Sequence, residues 1–598
     1  MRLRVNILSA FKISWAWVTF GVAFSSAAHA QFVDVSNAMD IYTDHTGGLN
    51  GSGISLADFN GDGFDDLSIG HHNGDLKFFI GNGVDFEPFE LNLPYYDAEA
   101  KSILWADLDN DGDQDLLVTY RLAENKLYIN QGNLNLIDVS ATCGIDQSER
   151  RSYGASFGDY DADGFLDLFI ANYVGGQDIP FNELYHNNGD GTFEDVTFDM
   201  AMGEPLQQSF QGHWVDFNED NLLDLHLIRD RLCFENRHYT QQPPGSDELF
   251  VQEAAAWNLD YAINCMSTSV TDYDRDNDLD LYLAAGLFEG NFLLDNEGEF
   301  FLPHVTLEGD SLDVHETSWA GTWFDADNNG WEDLHVCTGF SVYTNYPLVM
   351  SIYPSVPDHF FWNDGGVFEL DQSDMMYSDG ILSFTAVAAD YNMDGFPDLI
   401  NNIVGEYAQV LQGIPNGNRW IKLKLQGSES NRDGVGAKIR LHCADGMQYR
   451  MTFCGENYLC QGSRWEHFGL GTQTVIDSIV VTWPSGILDT YYEVESNQNL
   501  VLIEGETIEF DPCGNVQCLG CTYPIACNFE ASAITDDGSC DFSCYLNPFS
   551  CGYGTIWDDE GQQCVEDPNA CFTDLNYDGM TSVPDLLIFL GSFGTSCP

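Results

Sequence analysis

Positive charge is what this 598-residue sequence has least of: 21 Lys and Arg stand against 95 Asp and Glu, a formal net charge of −74. So few cations leave no basic stripe to follow a phosphate backbone, which excludes nucleic acid as a partner. Nor do they leave a basic patch to hold an anionic membrane. Long apolar runs are also scarce: beyond residue 30 none reaches the length of a membrane-spanning helix. Familiar catalytic signatures are missing, with no H-E-x-x-H, P-loop or dinucleotide fingerprint. The 14 His residues show no metal-ligand spacing, and His71-His72 reads as a surface pair. One G-x-S-x-G match, Gly154 to Gly158, runs straight into an acidic loop, whereas a nucleophile elbow needs strand, turn and helix. No catalytic residue and no enzymatic role are therefore assigned, although paired carboxylates for glycoside hydrolysis are hard to see in so acidic a chain.

Residues 1–30 have the form of a secretory signal: Arg2, Arg4 and Lys12, an apolar stretch from Ile13 to Phe24, and the small-x-small site Ala28-His29-Ala30. A secreted or cell-surface location is expected, with no membrane span after cleavage. Ten of the 17 cysteines follow residue 510, which in an oxidising compartment reads as a small disulfide-stapled module.

What the chain does have is a repeat. Seven segments follow D-x-[DN]-x-[DN]-x-x-x-D-L, and their first, third, fifth and ninth positions are as follows. The first loop has Asp58, Asn60, Asp62 and Asp66, and the second Asp107, Asp109, Asp111 and Asp115. The third has Asp159, Asp161, Asp163 and Asp167, and the fourth Asp216, Asn218, Asp220 and Asp224. The fifth has Asp272, Asp274, Asp276 and Asp280, the sixth Asp325, Asp327, Asn329 and Asp333, and the seventh Asp390, Asn392, Asp394 and Asp398. Each is flanked by short apolar runs, so each loop joins two strands. A unit of about 50 residues with several strands has the size of a propeller blade. One blade cannot bury both its faces, so blades stack around an axis. The expected fold is all-β: a seven-bladed β-propeller over 31–417, followed by a small β-rich domain and a disulfide-rich tail. Phe32-Val33-Asp34-Val35 is expected to pair with the last blade and close the ring, removing the sheet edges.

Ca²⁺ is the expected cofactor, several ions in all. It takes six to eight oxygens, and alternating carboxylates of a tight loop point inward together. The sixth position needs a sharp turn, and it is Gly63, Gly112, Gly164, Gly330 or Gly395, or else Asn221 or Asn277. Loops with Asn in place of Asp should bind more weakly, and a purely structural role for the ions is favoured.

These loops resemble the FG-GAP or VCBS repeats of integrin alpha-chain propellers and bacterial surface proteins, which implies a seven-bladed propeller with calcium in the interstrand loops. Beyond residue 418 stand Trp420 to Leu425, Ser430 to Ile439, Phe468-Gly-Leu-Gly471 and Ile479 to Gly486. This order resembles the ASPIC/UnbV domain of cartilage-acidic-protein-like secreted proteins and implies a β-rich domain over 418–506. Cys454 and Cys460 are close enough for a local disulfide, with buried thiols as the alternative.

Residues 507–571 form a Cys-rich module. Cys518-x-x-Cys521 suits either disulfides or zinc, with the secreted context favouring disulfides. Residues 572–598 carry an EF-hand-like loop, Asp574, Asn576, Asp578, Ser582 and Asp585 with Gly579 at the turn, then an apolar run. It resembles half of a type I dockerin repeat and implies a cohesin-like or cell-surface partner. The reading of the whole is an extracellular binding or adhesion module for a glycan or protein ligand. Contacts are expected on the loop faces, with Tyr343, Tyr346, Tyr353 and Trp362 offering aromatic surface. A polysaccharide-processing enzyme, or a component associated with one, is the alternative.

Overall fold

The computed structural model describes residues 32–506, apart from 44–47, 74, 174–180, 205–207, 287–289, 305–316, 340–356, 372–382 and 405–406; beyond 506 it describes four short strands, as backbone alone. The signal-like segment 1–30, Tyr343, Tyr346, Tyr353, the cysteine pairing of 507–571 and the loop Asp574 to Asp585 lie outside the described residues.

The fold is all-β and of propeller type. Each repeat folds as a meander: a first strand ends at the aspartate loop, and a second strand begins on the loop's ninth residue. In the first sheet these strands are Ile54–Ala57 and Asp66–Ile69, followed by Lys77–Gly81 and Phe86–Phe89. The same order recurs through the strands that begin at Glu99, Arg150, Ser209, Cys265 and Ser318. Sheets two and three are also joined directly, where Arg150 and Arg151 pair with Ala123 and Arg121. The seventh repeat supplies only three strands, Ser383–Ala389, Asp398–Ile403 and Gln409–Gly413. Its fourth is Phe32–Asp34, antiparallel to Gln409–Gly413 with Phe32 opposite Gly413. The two ends of the repeat array are thus hydrogen-bonded to each other. First strands neighbour first strands from sheet to sheet, and Ser383–Ala389 returns to Ile54–Ala57.

The first and second strands are buried almost throughout, because each sheet has a neighbour on both faces. Close approach needs small residues at a few points. A Cβ on Gly212 would lie 2.3 Å from the Phe169 ring, and one on Gly321 2.6 Å from Tyr282, so glycine admits the neighbouring sheet's aromatic.

Residues 419–503 form a second unit. A three-stranded sheet sets Arg419–Gln426 between Glu466–Gly471 and Gln498–Ile503. A four-stranded sheet orders Gly446–Met451, Lys438–Cys443, Val475–Thr482 and Leu488–Glu495. Between them lies an apolar core that includes Ile421, Leu423, Ile439, Phe468, Ile479 and Trp483. No helix among the described residues is long and apolar enough to cross a membrane.

One segment of this unit leaves it and enters the ring. Gln461 accepts hydrogen bonds from Ser55 Oγ (3.0 Å) and the Trp105 amide (2.8 Å), and its Nε2 donates to Trp105 O (2.7 Å). Cys460 pairs in parallel with Ile54, and the Phe157 amide donates to Cys454 O. Tyr458, fully buried, packs on Phe210 and Trp319 at ring distances of 5.8 and 5.0 Å, and its hydroxyl donates to Asn50 O. The segment therefore touches the first strands of sheets one, two, three, four and six, and so enters the centre around which they are arranged.

Candidate metal centres in the aspartate loops

All seven loops share one hydrogen-bond frame. The residue at position three accepts the amide of position five, from Asn60 with Asp62 (2.8 Å) to Asn392 with Asp394 (2.9 Å). Position five accepts the amide of position seven throughout. Oδ2 of the first aspartate accepts the amide of position six, at 2.6–3.1 Å, in loops one, two, three, four, six and seven. The sixth residue has positive φ in every loop, from 67° at Asn221 to 97° at Gly112. The fourth does too, including Ala162 (55°), Glu219 (57°), Arg275 (60°) and Met393 (60°). Nothing in those residue types announces this; for such side chains the left-handed conformation costs about 1–2 kcal/mol.

Within this frame the first, third and fifth carboxylates converge in loops three and five, and the first, third and ninth in loop two. Single carboxylate oxygens of Asp159, Asp161 and Asp163 lie within 4.8 Å of one another, as do those of Asp272, Asp274 and Asp276, and of Asp107, Asp109 and Asp115. The ninth residue is committed more deeply. Its Oδ1 accepts a backbone amide from the third strand in every sheet, donated by Gly81, Asn130, Asn187, Gln241, Asn296, Asn363 and Gly413. This buried aspartate therefore ties two strands together whether or not it also closes an ion site.

Crowded carboxylates carry an electrostatic cost. Burial, then Asp276, Asp274 and Asp278, push Asp272 up to about 8. Burial, then Asp167, Asp163 and Asp161, push Asp159 up to about 8. Several buried oxygens have no hydrogen-bond partner: Asp58 Oδ1, Asp224 Oδ2, both oxygens of Asp272, Asp280 Oδ2 and Asp398 Oδ2. A hard cation with oxygen ligands fits that donor set, and these residues would hold it.

The sequence does not announce the partner of these loops. The unit 419–503 sits on the loop face and presents cations to the first aspartates. Lys422 Nζ donates to Asp390 Oδ2 at 2.7 Å, and Lys438 Nζ donates to Asp216 Oδ2. Lys424 reaches Asp58 Oδ2 at 3.5 Å and Arg432 reaches Asp107 Oδ2 at 3.6 Å. In each case the oxygen contacted is the one that already accepts the loop amide, so Oδ1 stays turned to the loop interior. His186 serves loop three from within its own sheet, 3.1 Å from Asp167 and 3.4 Å from Asp161; its hydrogen bond to Asp167 raises it to about 9. Among the described residues no Lys, Arg or His forms an ion pair with Asp272, Asp274, Asp276 or Asp280 of loop five. One signal for this docking was available: of the 21 Lys and Arg, eight lie between residues 418 and 506 and none after 464.

Four expectations need correction. His71 is buried against His72, not part of a surface pair. Cys454 and Cys460 form no disulfide and are separate buried thiols, their sulfurs directed to Trp105 O and Tyr458 O. Trp362 is buried against Phe32 and Phe360 and offers no surface for a ligand. The face that carries the aspartate loops is occupied by the second unit. Ser156 of the G-x-S-x-G match lies in the middle of a strand, its hydroxyl bonded to Gly212 O, as its context implied.

Residues 427–509 match the family model described as ASPIC and UnbV, and residues 58–118, 107–170 and 159–227 match that of the FG-GAP-like repeat. The chain is 23% identical over 432 residues to cartilage acidic protein 1 of Mus musculus, covering 71% of this chain and 55% of that one. It is 24% identical over 381 residues to the Homo sapiens protein, covering 62% and 47%. The chain thus spans about half the length of these curated relatives. A solved Agrocybe aegerita lectin, described as recognising non-reducing terminal N-acetylglucosamine, is 17% identical with a TM-score of 0.37, covering 61% of this chain and 94% of that one. At that score the likeness says nothing about ligands here.

Proposed function

We propose that this FG-GAP propeller-like protein, related to cartilage acidic protein 1, is a secreted calcium-binding module that holds a glycan or protein ligand outside the cell. The observation that carries the calcium reading is the set of unpartnered buried carboxylate oxygens at Asp58, Asp224, Asp272, Asp280 and Asp398. They lie in loops whose position-three and position-five hydrogen bonds recur in all seven copies. Calcium supplies the positive charge that lets these carboxylates stay ionised when packed together. The residues themselves orient the ion's ligands and join first strand to second. The second unit's lysines brace the same loops from outside, so the loop face serves assembly rather than ligand capture. Ligand binding is therefore assigned to the rim and to the opposite face.

Two measurements test this. Calorimetric titration of chelator-treated protein with Ca²⁺ should show several ions bound per chain; no heat and no bound calcium would remove the reading. A glycan and extracellular-protein array, run beside a polysaccharide hydrolysis screen, should give binding without turnover. Turnover would favour the enzymatic alternative.

A further inference from the structure

A second cluster of ligating groups lies away from the aspartate loops, in sheet six. His335 and Cys337 are two residues apart on the strand Asp333–Thr338, so they project to the same face. The antiparallel register pairs Val336 with His359, which places Asp358 across from Cys337. One ligating atom from each of the three lies within 4.8 Å of the other two, and all three residues are buried. Neither ring nitrogen of His335 has a hydrogen-bond partner, although the residue is 0% exposed. Asp358 Oδ2 lies 3.8 Å from its Nε2, beyond hydrogen-bond reach. Ser383, the first residue of sheet seven, closes the fourth side, with its hydroxyl 2.6 Å from both oxygens of Asp358. The amide of Thr338 fixes the carboxylate through Oδ1 at 2.7 Å.

We propose that His335, Cys337 and Asp358 bind one zinc ion, loaded as the ring folds. An imidazole nitrogen, a thiolate and a carboxylate are the mixed donor set that Zn²⁺ accepts in tetrahedral sites, whereas Ca²⁺ takes oxygen. Charge supports the choice. A divalent ion with one thiolate and one carboxylate is neutral, which suits a site sealed between two sheets. On binding, a sulfur–zinc bond forms and the Cys337 thiol proton leaves to solvent. The fourth position falls to Ser383 or to water. This inference does not depend on calcium in the loops, since no loop residue contributes to it.

The test uses the full-length chain, produced with Co²⁺ in place of zinc and purified in calcium so that the loops are filled. One cobalt per chain is expected by elemental analysis, with tetrahedral ligand-field absorption and a thiolate-to-cobalt charge-transfer band that zinc abolishes. Cys337→Ser should lose the charge-transfer band. Asp358→Asn should keep the band and hold cobalt at least tenfold more weakly, with circular dichroism unchanged. Absence of the band in the wild type, its survival in Cys337→Ser, or undiminished affinity in Asp358→Asn overturns the proposal. The asparagine variant decides the matter if the serine variant does not fold.

Discussion

Single side chains carry much of the second unit's stability. Glu504 accepts the amides of Ser428, Glu429 and Ser430 and the hydroxyls of Ser430 and Ser485. Burial opposes its charge, but these donors outweigh burial and hold the carboxyl at about 2, below the usual 4.5. A depressed pKa stabilises the fold fully above the unfolded value, and that contribution is lost as pH falls through the folded one. Glu504→Gln should therefore lower the melting temperature at pH 7 and make little difference near pH 2; equal losses at both would remove the ionised-carboxylate account. Tyr458 acts across the two units. Tyr458→Ala empties the aromatic seat between Phe210 and Trp319 and removes the bond to Asn50. Truncating an aromatic of this size costs about 3–5 kcal/mol. Denaturant unfolding checks the value, and a change below about 1 kcal/mol would mean that the inserted segment does not contribute to stability.

At the scale of the loop, the first, third and fifth carboxylates meet in loops three and five, and the first, third and ninth in loop two. The spacing of first, third and fifth positions was legible because every copy repeats it. The left-handed sixth residue was legible from Gly and Asn, but the left-handed fourth residue was not. Ala162 and Met393 have no preference for that conformation; the frame of amides imposes it. If the loops hold calcium, their occupancy should differ for an electrostatic reason. Loops four and seven already hold Lys438 and Lys422 on their first aspartates, while among the described residues no ion pair reaches the four aspartates of loop five, where Arg440 stops at Asn277. Two unit charges about 4 Å apart repel by about 4 kcal/mol at an effective dielectric of 20. Loop five should thus bind Ca²⁺ most tightly. Asp272→Asn should remove one ion from the stoichiometry and abolish the tightest phase of the titration; an unchanged first phase would refute that ranking.

The whole molecule is a ring closed twice, once by Phe32–Asp34 on the last sheet and once by the segment that enters its centre. If calcium and the basic clamp both neutralise the loops, a chelator should lower the melting temperature substantially. Lys422→Met with Lys438→Met should make the link near residues 414–418 more sensitive to protease without altering the ring's circular dichroism. Cleavage at the wild-type rate would show that the clamp adds nothing to docking. The all-β fold, the repeated strand pairs around the loops and the pairing of Phe32 with the last sheet followed from sequence alone, because periodic residues at fixed phase dictate local geometry and an open array of sheets must satisfy its edges. The docking of residues 419–503 on the loop face, the plug of Cys454 to Gln461 and the meeting of His335, Cys337 and Asp358 did not. Those contacts join positions tens to hundreds of residues apart with no shared period, so only the packed chain brings them within reach.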